Sequence, residues 1–571
     1  MRWRNSLSLG GIVLVLCLVG CQDQPEPTAS EPTDIAPLAR FNWFEYRGED
    51  DIFAEPLAED EFQNPIIAGF YPDPSIVRVD DDYYMIHSSF AWSPGIPIFH
   101  SRDLVNWDKL GHVLTRPDQL LLDERQVSEG IFAPTIRYHD GTFYVISTGV
   151  WAGGNFIVTA KDPAGPWSDP IWLPEVGGID PDIFFDDDGR IYIAHNDGPP
   201  DDEPLYEGHR ALWLWEYDPE ARAVIPPRRL LVDGGVTIED EPVWIEAPHI
   251  FKHNDWYYLT AAEGGTGHEH SQVIFRSRSL DEPFEAYANN PILTQRDLPV
   301  DRDNAINSAG HADFVQLPDG DWWAVFLATR TYEGRHHNTG RETFLLPVAW
   351  EDDWPIILRA QTEVPMRLTR PDLPKWDKTL PPRTGNFTWR DDFDTAQLAF
   401  EWSRLRVSES RWYRQREGQL ILAPQRLTLA DRAQPSFLAR RQAHGRYQAS
   451  TELQLPMAEG MSAGLAVFQN ESHHYYLGLE RASEDGYRLF LEQAAGESAA
   501  EIATTHIEGA RAIELFVVGD QGDIGFYYRV AGQAERQRLA ENLDGRVLST
   551  AVAGGFVGAH IGVHARIEKY K

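Results

Sequence analysis

Cysteine is almost absent: the 571 residues contain two, Cys17 and Cys21, both at the extreme N-terminus. The remainder of the chain can form no intramolecular disulfide. Basic residues are scarce beside acidic ones, 51 Lys and Arg against 88 Asp and Glu, for a formal net charge of -37. A field of that sign repels nucleic acid and anionic lipid surfaces and leaves neutral molecules as the expected partners. The apolar run at the N-terminus, Leu9 to Val19, is too short for a comfortable bilayer span. The chain is also too long for one hydrophobic core, so a larger and a smaller domain are expected.

What the sequence does have is aromatic side chains, 12% of residues with 19 Trp, and Gly and Pro placed between short apolar alternations. That profile fits an all-β protein able to stack flat ligands such as sugars, although any single Trp serves equally well as core filling. At the N-terminus, Arg2 and Arg4 precede the apolar run, which ends Leu18-Val19-Gly20-Cys21. This resembles the lipobox of bacterial lipoprotein signal peptides, in which the Cys becomes the acylated first residue. The resemblance implies a signal over 1–20, a lipid on Cys21, and membrane contact only through that anchor. Gln22 in place of an Asp points to the outer membrane of a bacterial cell envelope. A plain secretory signal is the competing reading. Residues 21–62 read as a Pro-rich acidic tether followed by an N-terminal extension.

From residue 63 a pattern recurs: a small or polar residue with Pro, a short alternating strand, an Asp- and Gly-rich turn, and an aromatic strand. Its copies are YPDPSIVRVDDDYYMIHSSF at 71, FAPTIRYHDGTFYVISTGV at 132, IDPDIFFDDDGRIYIAHND at 179, IEAPHIFKHNDWYYLTAAEGG at 245 and AGHADFVQLPDGDWWAVFLATR at 309. Each copy is a hairpin, and units at such a period predict a five-bladed β-propeller over 63–368. If the first strand of each copy is innermost, then Asp73, Asp180, Glu246 and His311, at or near strand starts, face one axial pocket. An Asp before Pro is by itself an ordinary turn residue; acidic residues at corresponding places in three repeats are not. A Pro-rich linker at 369–385 leads to short alternating strands over 386–571, a two-sheet, concanavalin-like β-sandwich expected to pack on the propeller.

Three carboxyl groups in one pocket suit hydrolysis of a glycosidic bond, which needs an acid for the leaving oxygen and a base or nucleophile on the opposite face. Glu246, between Ile245 and Ala247-Pro248, sits in an apolar setting that favours its protonated form, and Asp73 is rigidly mounted between Pro72 and Pro74. At these residues the sequence resembles glycoside hydrolase family 43, the five-bladed propeller enzymes that include β-xylosidases and α-L-arabinofuranosidases. The motifs that carry the resemblance are NPIIAGFYPDPSIVRV, HSRDLVNW, IDPDIFFDDDG, IEAPHI, NSAGHADFV and GRETFLLPVAW, in that order. By position it implies Asp73 as general base, Asp180 as modulator of the acid's pKa and Glu246 as general acid, in an inverting reaction. It further implies that Phe90 and Phe132 pack against the terminal sugar, that Arg341 binds its hydroxyls, and that Thr266 supplies a pocket hydroxyl. Phe132 departs from the Trp more usual in its motif.

His311 either contacts substrate or lies near a water-bound cation such as calcium; no cofactor is required, and no metal ligand set is assigned. The turn Asp186-Asp187-Asp188-Gly189 reads as a hairpin turn, and His268-Glu269-His270 and His336-His337 as solvated loop or subsite residues. The expected function is an exo-acting β-xylosidase or α-L-arabinofuranosidase on oligosaccharides from xylan or arabinan, because the resemblance implies that an added C-terminal domain closes one end of the cleft. The alternatives are an endo-acting arabinanase, a retaining fructan-active propeller, and a surface glycan-binding lipoprotein without catalysis.

Overall fold

The computed structural model describes residues 37–406, 412–484, 486–496 and 498–568. The expected signal segment and Cys21 lie outside the described residues. Five sheets of at least four strands follow one another along the chain, with first strands at Ser75–Val79, Thr135–His139, Ile179–Phe185, Glu246–His253 and Ile306–Gln316. Each first strand pairs with the next strand as the antiparallel hairpin that the repeats predict. The turns are those the residues favour: Asp140 and Gly141 (φ 46° and 71°) and Asn254 and Asp255 (φ 46° and 61°) place left-handed backbone at both loop positions. Turns of that kind match the twist of the flanking strands.

Why five blades close into a ring is visible in the packing. Each neighbouring pair encloses its own apolar cluster: Ile86 with Val145, Ile146 with Ile193, Leu212 with Leu259, Tyr258 with Phe326, and Val325 with Met85 back to the first blade. Asn64 locks the join. Its amide donates to Leu345 O (3.0 Å) and its carbonyl oxygen accepts from Leu345 N (2.9 Å), while Glu61–Gln63 pairs with Arg367–Thr369.

The sandwich consists of an eight-stranded and a six-stranded antiparallel sheet around one core. Its larger sheet corrects the expected division of the chain. Ala39–Gly48, expected within an N-terminal extension, is an interior strand between Gln419–Leu422 and Arg446–Gln454. A register shift between Phe41 and Trp43 turns Phe41, Phe44 and Tyr46 all toward the core, where each is fully buried. Three aromatic rings that gain so much apolar contact determine where this segment goes.

The two domains share an interior. Phe70, Phe90 and Trp92 of the propeller pack with Phe437, Phe468, Tyr476 and Val557 of the sandwich, and Trp92 stacks on His560 with ring centroids 3.7 Å apart. Arg330 fixes the orientation, donating to Glu342 (2.7 and 2.9 Å), to Asp50 (2.7 Å) and to Ala443 O (2.7 Å). Removing one member of so buried an ion cluster strands the others, so it specifies a single docking geometry.

Candidate active site

The layer of carboxylates that faces the cavity grows out of backbone irregularities at the start of the inner strands. Asp73 and Asp180, each followed by Pro, adopt left-handed φ of 54°, as does Ala247 before Pro248 at 52°. Ladder registers shift between Ile179 and Asp182 and between Glu246 and His249, and His311 (φ 52°) falls inside a similar shift in the fifth blade. Bulges and strained backbone of this kind re-aim side chains and persist only where the surroundings hold them. The repeats are therefore offset: Asp73 and Asp180 occupy the strained position itself, whereas Glu246 precedes it by one residue.

Two residues further along four of the strands, and four along that of the second blade, a second layer forms. Ser75, Arg137, Asp182, His249 and Asp313, one from each blade, are brought together on the axis beneath the pocket. Arg137 lies 3.0 Å from Asp182 and 2.8 Å from Asp313. Asp182 accepts from Ile250 N (2.9 Å) and Asp313 from Ile76 N (3.0 Å), while Ser75 Oγ accepts from Ile136 N (3.0 Å). Burial opposes ionisation of Asp313, yet the Arg137 charge and its hydrogen bonds hold that carboxyl at about 2. These bonds run from blade to blade and fix the azimuth of the strands that carry the carboxylates above.

All eight residues singled out from the sequence line one cavity of about 530 Å³: Asp73, Phe90, Phe132, Asp180, Glu246, Thr266, His311 and Arg341. That volume fits a sugar and part of its neighbour. Asp73 Oδ1 accepts from Arg341 Nη1 (2.7 Å), and its other oxygen accepts from the Ser88 hydroxyl. Arg341 Nε remains a buried donor with no acceptor among the described residues. Burial pushes Glu246 up to about 7, the negative charge of Asp73 adds to this, and Arg341 and Arg210 pull it back. Asp180 is raised well above the ordinary carboxylate range by burial first and then by Glu246 and Asp73. The site thus holds an ion-paired carboxylate beside two carboxyls inclined to keep a proton, a separation of character that acid–base chemistry uses.

His311 is buried, with Nδ1 3.6 Å from Asp73 Oδ1, and burial pushes its imidazole down to about 3 against the pull of Asp73. His311 offers a nitrogen donor and the nearest carboxylate is already occupied by Arg341 and Ser88, so a calcium ion here would rest mainly on water oxygens. Among the described residues no group of three or more His, Cys, Asp or Glu side chains is gathered for a metal. The other histidines divide. His270, expected as a solvated loop or subsite residue, is instead buried against Ser308 O (2.9 Å), immediately before the strand Ser271–Ser277. His268 and His337 line a second cavity of about 230 Å³ that shares Thr266, Arg341 and Phe556 with the first. Asp186 and Asp187 form a turn clamped by Lys252 (2.6 and 2.7 Å).

Among the cavity residues not singled out as site residues from the sequence are Trp151, Asn196, Arg210, Trp244 and Phe556. Phe556 comes from the sandwich. Its ring lies 5.9 Å from Phe90 in a stacked arrangement and 5.8 Å edge-on to Phe132, and its carbonyl faces Arg341 Nη2 at 3.5 Å. One wall of the cavity is therefore supplied by the second domain. Asn196 was within reach of sequence reasoning, since it is the penultimate residue of the third repeat.

Comparison with known proteins agrees with this architecture. Residues 62–355 match the family model for glycosyl hydrolases family 43, and residues 390–569 match that for the β-xylosidase C-terminal concanavalin A-like domain. A xylosidase/arabinosidase of Butyrivibrio fibrisolvens is 37% identical over 88% of this chain and 95% of its own length. A non-reducing end α-L-arabinofuranosidase of Bacteroides ovatus is 37% identical over 89% of this chain and 92% of its own. The crystal structure of a GH43_12 protein retrieved from capybara gut metagenome superposes with a TM-score of 0.88 at 40% identity, covering 93% of this chain and 100% of that one. With its five blades, its sandwich and both family matches in register, the chain belongs to glycoside hydrolase family 43.

Proposed function

We propose that this glycoside hydrolase is an inverting exo-glycosidase that releases terminal β-D-xylosyl or α-L-arabinofuranosyl residues from xylan- or arabinan-derived oligosaccharides. The observation that carries the reading is a single cavity in which Asp73 is ion-paired, Glu246 is inclined to keep its proton, and Phe556 of the sandwich closes one side. A pocket closed on one side admits a chain end more readily than a chain interior, which favours exo over endo action. The names of the relatives, xylosidase/arabinosidase and non-reducing end α-L-arabinofuranosidase, support the same choice.

In this mechanism Asp73 removes a proton from a water molecule whose oxygen attacks the anomeric carbon. The bond to the leaving oxygen breaks as Glu246 delivers its proton there. Asp73 ends protonated and Glu246 ionised, and exchange with solvent restores both. Asp180 acts through Glu246: two buried carboxyls this close repel when both are charged, so the ionisation of one is tied to that of the other. Arg341 orients Asp73 and offers its remaining donors to sugar hydroxyls. His311, neutral across the working range, contributes hydrogen bonding without charge.

Two measurements test this. Purified protein should hydrolyse an aryl β-D-xyloside, an aryl α-L-arabinofuranoside or both, and proton NMR of the first product formed should show the anomer opposite to that of the substrate. A retained anomer would exclude the single displacement, and release of internal fragments alone from arabinan oligosaccharides would make the enzyme endo-acting. The pH profile is the second. Glu246 must carry its proton to act, so kcat/KM should fall as pH rises through about 7. An alkaline limb that stays flat to pH values well above this would remove Glu246 from the acid role.

A further inference from the structure

The floor and the mouth of the cavity are built differently. Asp73, Glu246, His311 and Arg341 at the floor are at most 8% exposed. At the mouth, Trp151 is 76% exposed and holds a left-handed φ of 56°. A bulky side chain in that conformation is strained, and a Trp that leaves most of its ring in water gains little from the fold in return.

Arg210, half-buried on the same cavity, is unusual in another way. Its guanidinium stacks over the Trp244 ring, 4.1 Å from the centroid, yet among the described residues it has neither an ion-pair partner nor a hydrogen-bond acceptor. In a chain with 88 acidic residues, a cation left without an acceptor in a cavity has its donors free for something that enters. The stack with Trp244 holds the guanidinium plane in place. Trp244 N donates to Gly208 O (3.0 Å), which ties the loop before Arg210 to the strand start carrying Glu246. Trp244 lies two residues before Glu246 in the chain, so the stack holds Arg210 on the acid's side of the cavity.

Chemistry assigns that side. The acid protonates the oxygen that joins the two sugars, so the departing sugar lies beside Glu246 and toward the opening. Resting on the exo-glycosidase reading, we propose that Arg210 and Trp151 form the binding site for the leaving sugar, Arg210 donating to its hydroxyl oxygens and Trp151 lying against its ring. The terminal sugar is thus selected at the buried floor, and the residue to which it is attached is selected at the mouth.

The test compares substrates that share a terminal sugar: a disaccharide, whose leaving group carries hydroxyls, and an aryl glycoside, whose leaving group carries none. Assays run at about pH 5.5 keep Glu246 protonated in every variant, since loss of Arg210 only raises its pKa. For Arg210→Met, the ratio of kcat/KM on the disaccharide to that on the aryl glycoside should fall about 10- to 100-fold, mainly through KM. Trp151→Ala should weaken disaccharide binding, again as a rise in KM, with an unchanged melting temperature because the ring is exposed. Equal losses on both substrates for Arg210→Met would mean that Arg210 acts through Glu246, and an unchanged ratio would mean that it does not touch the leaving sugar; either overturns the proposal. A wild-type protein that cleaves neither substrate would instead overturn the exo-glycosidase reading itself.

Discussion

Asp73→Asn should lower kcat by about 10³- to 10⁴-fold on every substrate, whatever its leaving group. The substitution keeps the shape of the side chain and an oxygen that can accept from Arg341, so the pocket stays assembled while the proton acceptor is lost. Loss of the base slows attack by water and is indifferent to what departs. Stopped assays on an activated aryl glycoside, with circular dichroism to verify folding, measure this directly. A variant that retains more than about a tenth of wild-type kcat would show that another group activates the water.

Glu246→Gln should behave in the opposite way with respect to the leaving group. On a disaccharide, whose departing alkoxide needs a proton, kcat/KM should fall by about 10³-fold or more; on an aryl glycoside with an acidic phenol the loss should shrink toward about tenfold. The alkaline limb near pH 7 should vanish with the ionisable group that produces it. A uniform loss across leaving groups, with the limb intact, would assign Glu246 to positioning and leave the acid to be found elsewhere. The two variants together separate the halves of the reaction, since one is sensitive to the leaving group and the other is not.

Much of this site was legible before any coordinates. Asp73, Asp180 and His311 are readable because a repeat multiplies a weak signal: one Asp-Pro is a turn, but the same dipeptide at the head of two hairpins marks a shared axis. Glu246 is readable by nearness to that position, although its offset of one residue is visible only in the bulged ladder. Phe556 was not legible, because its place beside Phe90 depends on the docking of two domains through Trp92, His560 and Arg330. Arg210 and Trp244 lie outside the repeated motif, where no periodicity constrains them. Ala39–Gly48 was passed over for a different reason. Its apolar side chains break the period of two, and the bulge that restores them to one face appears only when the partner strand is in place.

That strand has a consequence for how the molecule comes into being. Ala39–Gly48 leaves the ribosome before the propeller, but the strands that flank it, Gln419–Leu422 and Arg446–Gln454, follow only after all five blades. Throughout that interval Phe41, Phe44 and Tyr46 have no sheet to enter. The blades, each built from local hairpins, can assemble while synthesis continues, whereas the sandwich must wait for its other half. A chaperone that shields aromatic segments would therefore find a long-lived client here, and the sandwich, which completes its fold after the propeller, contains a strand made before it.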